Sequence, residues 1–170
     1  MELPGSLYLY AIATVSITFV GFSAMLVVFR QSMGGQLTRY DTYFTLSFIQ
    51  AGFVVTAGAL VPPAVALYSV SPDAAWRIAG GIVAILVFMF VARVPGRRRA
   101  ATGQSMPPQI TTMLTLQALS GVSLVLGSAG FYGTTVGAAY VSAIAVLLIT
   151  SGAAYLGALA LTLPDLTTGK

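Results

Sequence analysis

The chain has 170 residues, of which 57% are hydrophobic and 7% are charged, and its eight Lys and Arg residues outnumber its four Asp and Glu residues. Soluble domains carry about 25% charged residues, so this composition excludes a soluble monomeric domain and predicts a chain that is surrounded by lipid. The sequence contains neither cysteine nor histidine, which excludes disulfides, thiolate chemistry, His-ligated haem, the usual zinc sites and His-based acid–base catalysis.

The first two apolar segments each reach the length of about 20 residues that a membrane-spanning helix needs. They predict helices over residues 8–29 and 43–69. The first segment has no basic residues before it and no small-residue cleavage site after it, so we expect a retained span rather than a signal peptide. Pro62 and Pro63 lie about 29 Å along the second helix, and we expect this pair to end or kink the helix at the membrane surface.

The third predicted helix covers residues 75–92 and has a clear start signal in Ser71, Pro72 and Asp73. Serine caps the free N–H groups of a first turn, proline suits the first helical position, and an acidic side chain there interacts favourably with the helix dipole. Trp76 follows this signal and is expected to anchor the helix at the membrane surface, where tryptophan is enriched.

The remaining apolar sequence is too long for one span and is divided by glycines within residues 127–137. Glycine permits the backbone conformations of a turn, so we predict a fourth helix over residues 110–131 and a fifth over residues 136–163, ended by Pro164. The expected fold is all-α: a compact bundle of five transmembrane helices that forms a single integral membrane domain over residues 1–170.

The distribution of basic residues predicts the orientation of these helices. With five spans, Arg77 lies on one side of the membrane, and the other side receives Lys170 together with Arg30, Arg39, Arg93, Arg97, Arg98 and Arg99. Cytoplasmic loops are the ones enriched in Lys and Arg. We therefore expect a multi-pass protein of the inner (plasma) membrane with its amino terminus outside and its carboxyl terminus in the cytoplasm.

The arginine tract between Arg93 and Arg99 is expected to fill the third loop. Besides orienting the chain, arginines beside a helix end attract anionic lipid headgroups. Membrane lipids are therefore the expected partners of the six arginines on the cytoplasmic side: Arg30, Arg39, Arg93, Arg97, Arg98 and Arg99. The tract contains no aromatic residue, and nucleic-acid binding through base stacking is therefore not expected.

No ionisable residue lies in the middle of a predicted span. A charge at that depth is costly and usually functional, so this pattern argues against proton-driven carriers, voltage sensors and most intramembrane hydrolases. We expect a protein that is not an enzyme and that takes no metal or cofactor.

Small and hydroxylated residues recur at helical spacing in three of the predicted helices. They are Ala11, Thr14, Thr18 and Gly21 in the first, Ser120, Ser123, Gly127 and Gly130 in the fourth, and Ala139, Ala143, Thr150, Ala153 and Gly157 in the fifth. Such faces let helices approach closely, so the leading hypothesis is a non-enzymatic accessory or scaffold subunit that associates with itself or with another membrane protein. The alternative is a homo-oligomeric channel or pore for small ions or solutes, because pore walls also contain Ser, Thr and Gly.

Polar residues inside the spans are candidates for buried positions. They are Gln50, Thr56, Gln117, Ser120 and Ser123. A glutamine amide that faced lipid would leave its donors and acceptor unpaired, so Gln50 and Gln117 are expected to face protein or water. Because the two lie at nearly the same depth, a hydrogen bond between them, or across a symmetric interface, is the simplest arrangement.

Two short sequences suggest an internal relationship and a family resemblance. "TLSFIQA" in the second helix and "TMLTLQA" in the fourth share a Thr, four intervening residues and Gln-Ala, which suggests that helices two–three and four–five form a parallel repeat. "FVGFSAMLVVFRQ" followed by "RYD" resembles small multi-spanning inner-membrane proteins of bacteria that have no assigned activity. That resemblance implies no cofactor and no binding residue.

Overall fold

A computed structural model describes residues 3–32, 39–103 and 105–162, and it contains helices but no strand within these ranges. The five long helices are α1 (Ser6–Ser32), α2 (Arg39–Ala66), α3 (Pro72–Thr102), α4 (Pro108–Ser128) and α5 (Val136–Thr162). Each is long and apolar enough to cross a membrane. The all-helical class and the five predicted long apolar helices are therefore confirmed, and the chain has the features of a multi-pass membrane protein.

The predicted start of α3 is confirmed, including its cap. Ser71 has an extended backbone, and its side chain accepts a hydrogen bond from the N–H of Ala74 at 3.3 Å. Pro72 is the first helical residue and Asp73 lies in the first turn. Local chemistry alone therefore determines where this helix begins.

Trp76 does not anchor the outside of α3 as expected, because it is buried within the protein. Only 4% of its surface is exposed, and its ring lies 5.2 Å from that of Tyr140 between centroids. It packs against the start of α5 at Gly137, where a Cβ atom would lie 2.9 Å from the indole nitrogen. A glycine at this position leaves the space that the large ring occupies.

The prolines of α2 do not end the helix. It continues through Pro62 and Pro63 as far as Ala66, three residues short of the predicted boundary. A proline removes one backbone hydrogen bond, and in a long apolar helix that is tolerated because the rest of the ladder and the tertiary packing remain.

The prediction that the arginine tract forms a loop is wrong. Helix α3 continues through Pro95 and all four arginines to Thr102, and it ends at Gly103, which has φ +66° and donates its N–H to the carbonyl of Arg99 at 2.9 Å. Arginine and alanine favour a helix, and the glycine supplies the left-handed cap. The helix therefore ends at this glycine rather than at the last apolar residue.

The turn between α4 and α5 lies where the glycines predicted it. Gly130 has φ +90° and Gly133 has φ +51°, and a short 3₁₀ helix, Gly133–Thr135, leads into α5. The turn begins at Ala129, so α4 ends at Ser128 and not at residue 131. Positive φ angles favour glycine, which has no Cβ atom.

Consecutive helices pack against each other, and α5 also contacts α1, α2 and α3. The shared interior is apolar, with Val55, Val83, Val87, Leu124 and Ile144 almost fully buried. The helices alternate in direction, so residues near the end of α3 and the end of α5 lie beside the beginnings of α2 and α4. We call this part of the molecule the arginine end.

Candidate ligand cavity at the arginine end

A cavity of about 400 Å³ lies between α2, α3, α4 and α5 at the arginine end. This volume is within the range of about 300–1,000 Å³ that is usual for small-molecule sites. One wall is aromatic: the ring of Tyr155 stacks on that of Phe48 at 4.1 Å and on that of Phe44 at 6.0 Å between centroids. Most of the other lining side chains are also apolar, and they include Phe90, Val94, Ile110, Met113 and Leu114.

Arg98 is the one basic residue in the cavity wall. It lies on the same face of α3 as Val87 and Val94, which are separated from it by eleven and four residues in the sequence, and all three are buried. Its exposed fraction is 6%, whereas Arg93, Arg97 and Arg99 are exposed. Because successive residues of a helix point in different directions, Arg98 faces the interior of the protein while the other arginines of the tract face outwards.

The Nε atom of Arg98 is buried and has no hydrogen-bond partner within the described part of the chain. Arginine keeps its charge in proteins, and an unpaired buried charge is costly. The position therefore favours an anion beside Arg98.

Gln117 brings a second unpaired group to the cavity. It is 5% exposed, its Nε2 donates to the hydroxyl of Ser151 at 3.2 Å, and its Oε1 has no partner. A serine hydroxyl can donate or accept, so either orientation of the amide leaves one of its polar atoms unpaired. Such a group costs about 1–3 kcal/mol when it is buried.

Ser47 completes this polar group, because its hydroxyl is also buried without a partner. In the described ranges, four side-chain polar atoms are buried and unpaired, and three of them, from Ser47, Arg98 and Gln117, belong to residues that line this one cavity. The fourth is the hydroxyl of Thr56, which lies elsewhere in α2. Unpaired buried groups are rare in proteins, so their concentration at one cavity makes it the candidate ligand site.

Gln50 and Gln117 do not form the hydrogen bond expected between them. Gln50 accepts from Nη1 of Arg97 through its Oε1, and Gln117 donates to Ser151. Side chains on a helix lean towards its amino terminus, which brings Arg97 back along α3 to the level of Gln50. Each amide nevertheless has a protein partner, as the cost of facing lipid requires.

The other polar candidates are dispersed through the structure. Ser120 is buried and donates to the carbonyl of Leu116 at 3.1 Å, within its own helix. The hydroxyl of Ser123 lies 3.1 Å from that of Tyr132, beyond the end of α4. Neither serine lines the cavity.

The arginines expected to contact lipid also differ in their positions. Arg39 is exposed as the first residue of α2, and Arg93 and Arg99 are exposed near the end of α3. The side chain of Arg30 lies outside the described residues. The exposed arginines are available for headgroups, and Arg98 is placed for a different contact.

Small residues on α4 and α5 contribute mainly to packing inside the chain. Ser120, Gly127, Ala143 and Thr150 are buried, although Ala153 and Gly157 are exposed. On α1 the four predicted positions face outwards: Ala11, Thr14, Thr18 and Gly21 are all exposed. Their outward position leaves this face available for a further helix.

Three features of the cavity were missed in the sequence interpretation: the burial of Arg98, the hydroxyl of Ser47 and the aromatic wall around Tyr155. The signal for Arg98 was its spacing from Val94, which becomes visible once α3 is extended through the tract. No family model matches the chain, and no curated protein or solved structure matches it.

Proposed function

We propose that the protein is a non-enzymatic integral membrane protein that binds a small amphipathic molecule in the cavity at its arginine end. The observation that carries this proposal is the coincidence of an apolar, aromatic-walled cavity with three unpaired polar atoms. Ligand sites are typically apolar clefts with a few convergent polar groups. A membrane supplies amphipathic molecules at high local concentration.

The test uses a neutral monoacylglycerol that carries a diazirine on its acyl chain, with the protein in phosphatidylcholine nanodiscs. Photolysis should attach the probe to peptides that contain the aromatic wall, residues 43–51 and 151–157. Ala154→Phe fills the cavity and should abolish this labelling, because Ala154 is part of the lining. Ala138→Phe is the matched control on the exposed surface of the same helix and should leave labelling unchanged. Equal labelling of wild type and Ala154→Phe would contradict the proposal.

A second proposal concerns association through α1. Thr14 and Thr18 each donate to a carbonyl of their own helix, at 2.8 Å and 2.7 Å. The exposed face therefore presents small, internally satisfied groups, which suit close packing of another transmembrane helix. This is the accessory or scaffold role expected from the sequence, with a second copy or another membrane protein as the partner.

Energy transfer between donor-labelled and acceptor-labelled copies in liposomes measures this association. Gly21→Leu places a bulky side chain on the face and should reduce the transfer, whereas Val15→Leu, also exposed on α1, should not.

A homo-oligomeric channel would additionally conduct ions in the same liposomes. Because Val83, Val87 and Ile144 fill the centre of one chain, its pathway would have to run between copies.

We also propose the orientation, the inner-membrane location and the internal repeat that the sequence predicts. The exposed arginines Arg93, Arg97 and Arg99 share one end of the helices, which supports a cytoplasmic position for that end, with the amino terminus outside.

The repeat of α2–α3 and α4–α5 is supported by the glutamine contacts. Gln50 of α2 is bound by α3, and Gln117 of α4 binds α5.

A further inference from the structure

We infer that the ligand of the cavity is anionic: a single-chain amphiphile whose carboxylate or phosphate binds the guanidinium of Arg98. This inference rests on the proposed binding function and specifies the chemical class of its ligand. It depends on the placement of one charged group in a mostly apolar site.

The charge of Arg98 favours an anionic ligand. Only 6% of the surface of Arg98 is exposed, and its Nε–H has no acceptor in the described residues. A guanidinium presents several N–H donors in one plane and matches the two oxygens of a carboxylate or the oxygens of a phosphate. A neutral ligand would supply no charge to pair with this guanidinium.

The position of Arg98 along α3 is suitable for contact with a headgroup. Arg98 is about 39 Å along α3 from Pro72, which exceeds the hydrocarbon thickness of about 30 Å. Its backbone can therefore lie at headgroup level while its side chain leans back along the helix. The neighbouring Arg97 reaches Gln50 in the same direction. An anionic headgroup at Arg98 thus requires no charge at the membrane centre.

The cavity combines this charge with an apolar surface. The stacked rings of Phe44, Phe48 and Tyr155 line the same cavity as Arg98. A small inorganic anion would pair with the guanidinium but would not contact this apolar surface. Gln109, Ala153 and Gly157 line the cavity and are also exposed, so a longer chain can extend outwards past them.

The remaining polar groups are compatible with such a headgroup. The hydroxyl of Ser47 can donate to an anionic oxygen, and the free atom of the Gln117 amide can bond to a neighbouring hydroxyl or oxygen of the ligand. Carboxylate and phosphate share the required chemistry. A fatty acid and a monoacyl phosphate are therefore the two sources that an experiment must distinguish.

The experiment measures competition with the neutral photoprobe in the same nanodiscs at pH 8. The competitors are dodecanoate, dodecyl phosphate and dodecanol, compared at equal concentration in the membrane, together with acetate and inorganic phosphate in solution. Wild type should bind at least one of the two charged amphiphiles more tightly than dodecanol by about tenfold or more, as charge-assisted hydrogen bonds allow. The tighter of the two identifies the headgroup.

Arg98→Gln should reduce this preference to within about twofold, and Arg99→Gln, which removes the same charge from the adjacent exposed position, should retain it. Labelling by the neutral probe confirms that each variant is folded. If Arg98→Gln fails to fold, Arg98→Lys keeps the charge without the planar fork and should show a reduced preference.

Three outcomes would overturn the inference. Equal competition by dodecanol and both charged amphiphiles would refute the anionic ligand while leaving the proposed binding function intact. Competition by acetate or inorganic phosphate as strong as that of the amphiphiles would identify a free anion instead. A complete lack of probe labelling in the wild-type cavity would refute the proposed function itself, and the inference with it.

Discussion

Gly52 sets the distance between α1 and α2. A Cβ atom at this position would lie 2.2 Å from Cγ2 of Val20, and the carbonyl of Gly52 accepts a hydrogen bond from the buried hydroxyl of Ser16 at 2.9 Å. Valine is stiff about its first side-chain torsion, so it cannot turn away without cost. The missing side chain of one glycine thus permits both the close approach and the hydrogen bond between the helices.

We predict that Gly52→Ala destabilises the protein by about 1–3 kcal/mol, the usual cost of overpacking a tight interface. Gly152→Ala is the control, since a Cβ atom added at that helical glycine would meet no atom within 4 Å and alanine favours a helix. The free energy of unfolding in an SDS titration measures both. A neutral Gly52→Ala variant would show that α1 and α2 are not in close contact there.

Tyr140 connects α5 to α2 in the buried interior. Its hydroxyl donates to the carbonyl of Gly58 at 2.7 Å, and the residue is 3% exposed. The phenol therefore satisfies its polar end while its ring packs against Trp76.

Tyr140→Phe should lower the free energy of unfolding by about 0.5–1.5 kcal/mol, because the ring packing remains and only the hydrogen bond is lost. Tyr8→Phe removes an exposed phenol and should change stability little. The same SDS titration compares the two variants. Equal effects would mean that the hydroxyl of Tyr140 contributes nothing specific.

At the scale of elements, the arginine tract is a helix with two different faces. Val94 and Arg98 are buried, and the residues between and beside them are exposed. A loop at the membrane surface would instead leave all of these positions accessible.

Single cysteines introduced from position 93 to position 100 should therefore react with a soluble maleimide in a helical pattern. We expect the slowest reaction at positions 94 and 98, because those side chains point into the protein. The chain has no cysteine of its own, so each variant reports one position. Uniform rapid labelling would indicate that the tract is not helical.

At the scale of the whole molecule, the five helices place Ser105 and Thr134 at opposite ends. Both residues are exposed and lie in the connections before and after α4. We predict that Thr134→Cys in intact cells reacts with a membrane-impermeant reagent, whereas Ser105→Cys reacts only after the membrane is opened. Reaction of both variants in intact cells would mean that α4 does not cross the membrane. The reverse pattern would place the arginine end outside.

The sequence by itself determined the number of helices, the start of α3 and the position of the turn before α5. The length of an apolar segment, a serine cap followed by proline, and glycines with positive φ are all features of one continuous stretch of sequence. The predicted end of α3 is too early, because the arginines that follow the last apolar residue also favour a helix.

Only the tertiary structure decided which faces of these helices meet. A sequence shows that Arg98 is charged, but burial depends on which side of α3 faces α2, α4 and α5. The partners of Gln50 and Gln117, and the outward position of Thr14 and Gly21 on α1, depend equally on packing between distant segments. In a chain this uniformly apolar, helix rotation has little hydropathy signal, so close contacts at glycines and a few hydrogen bonds determine it.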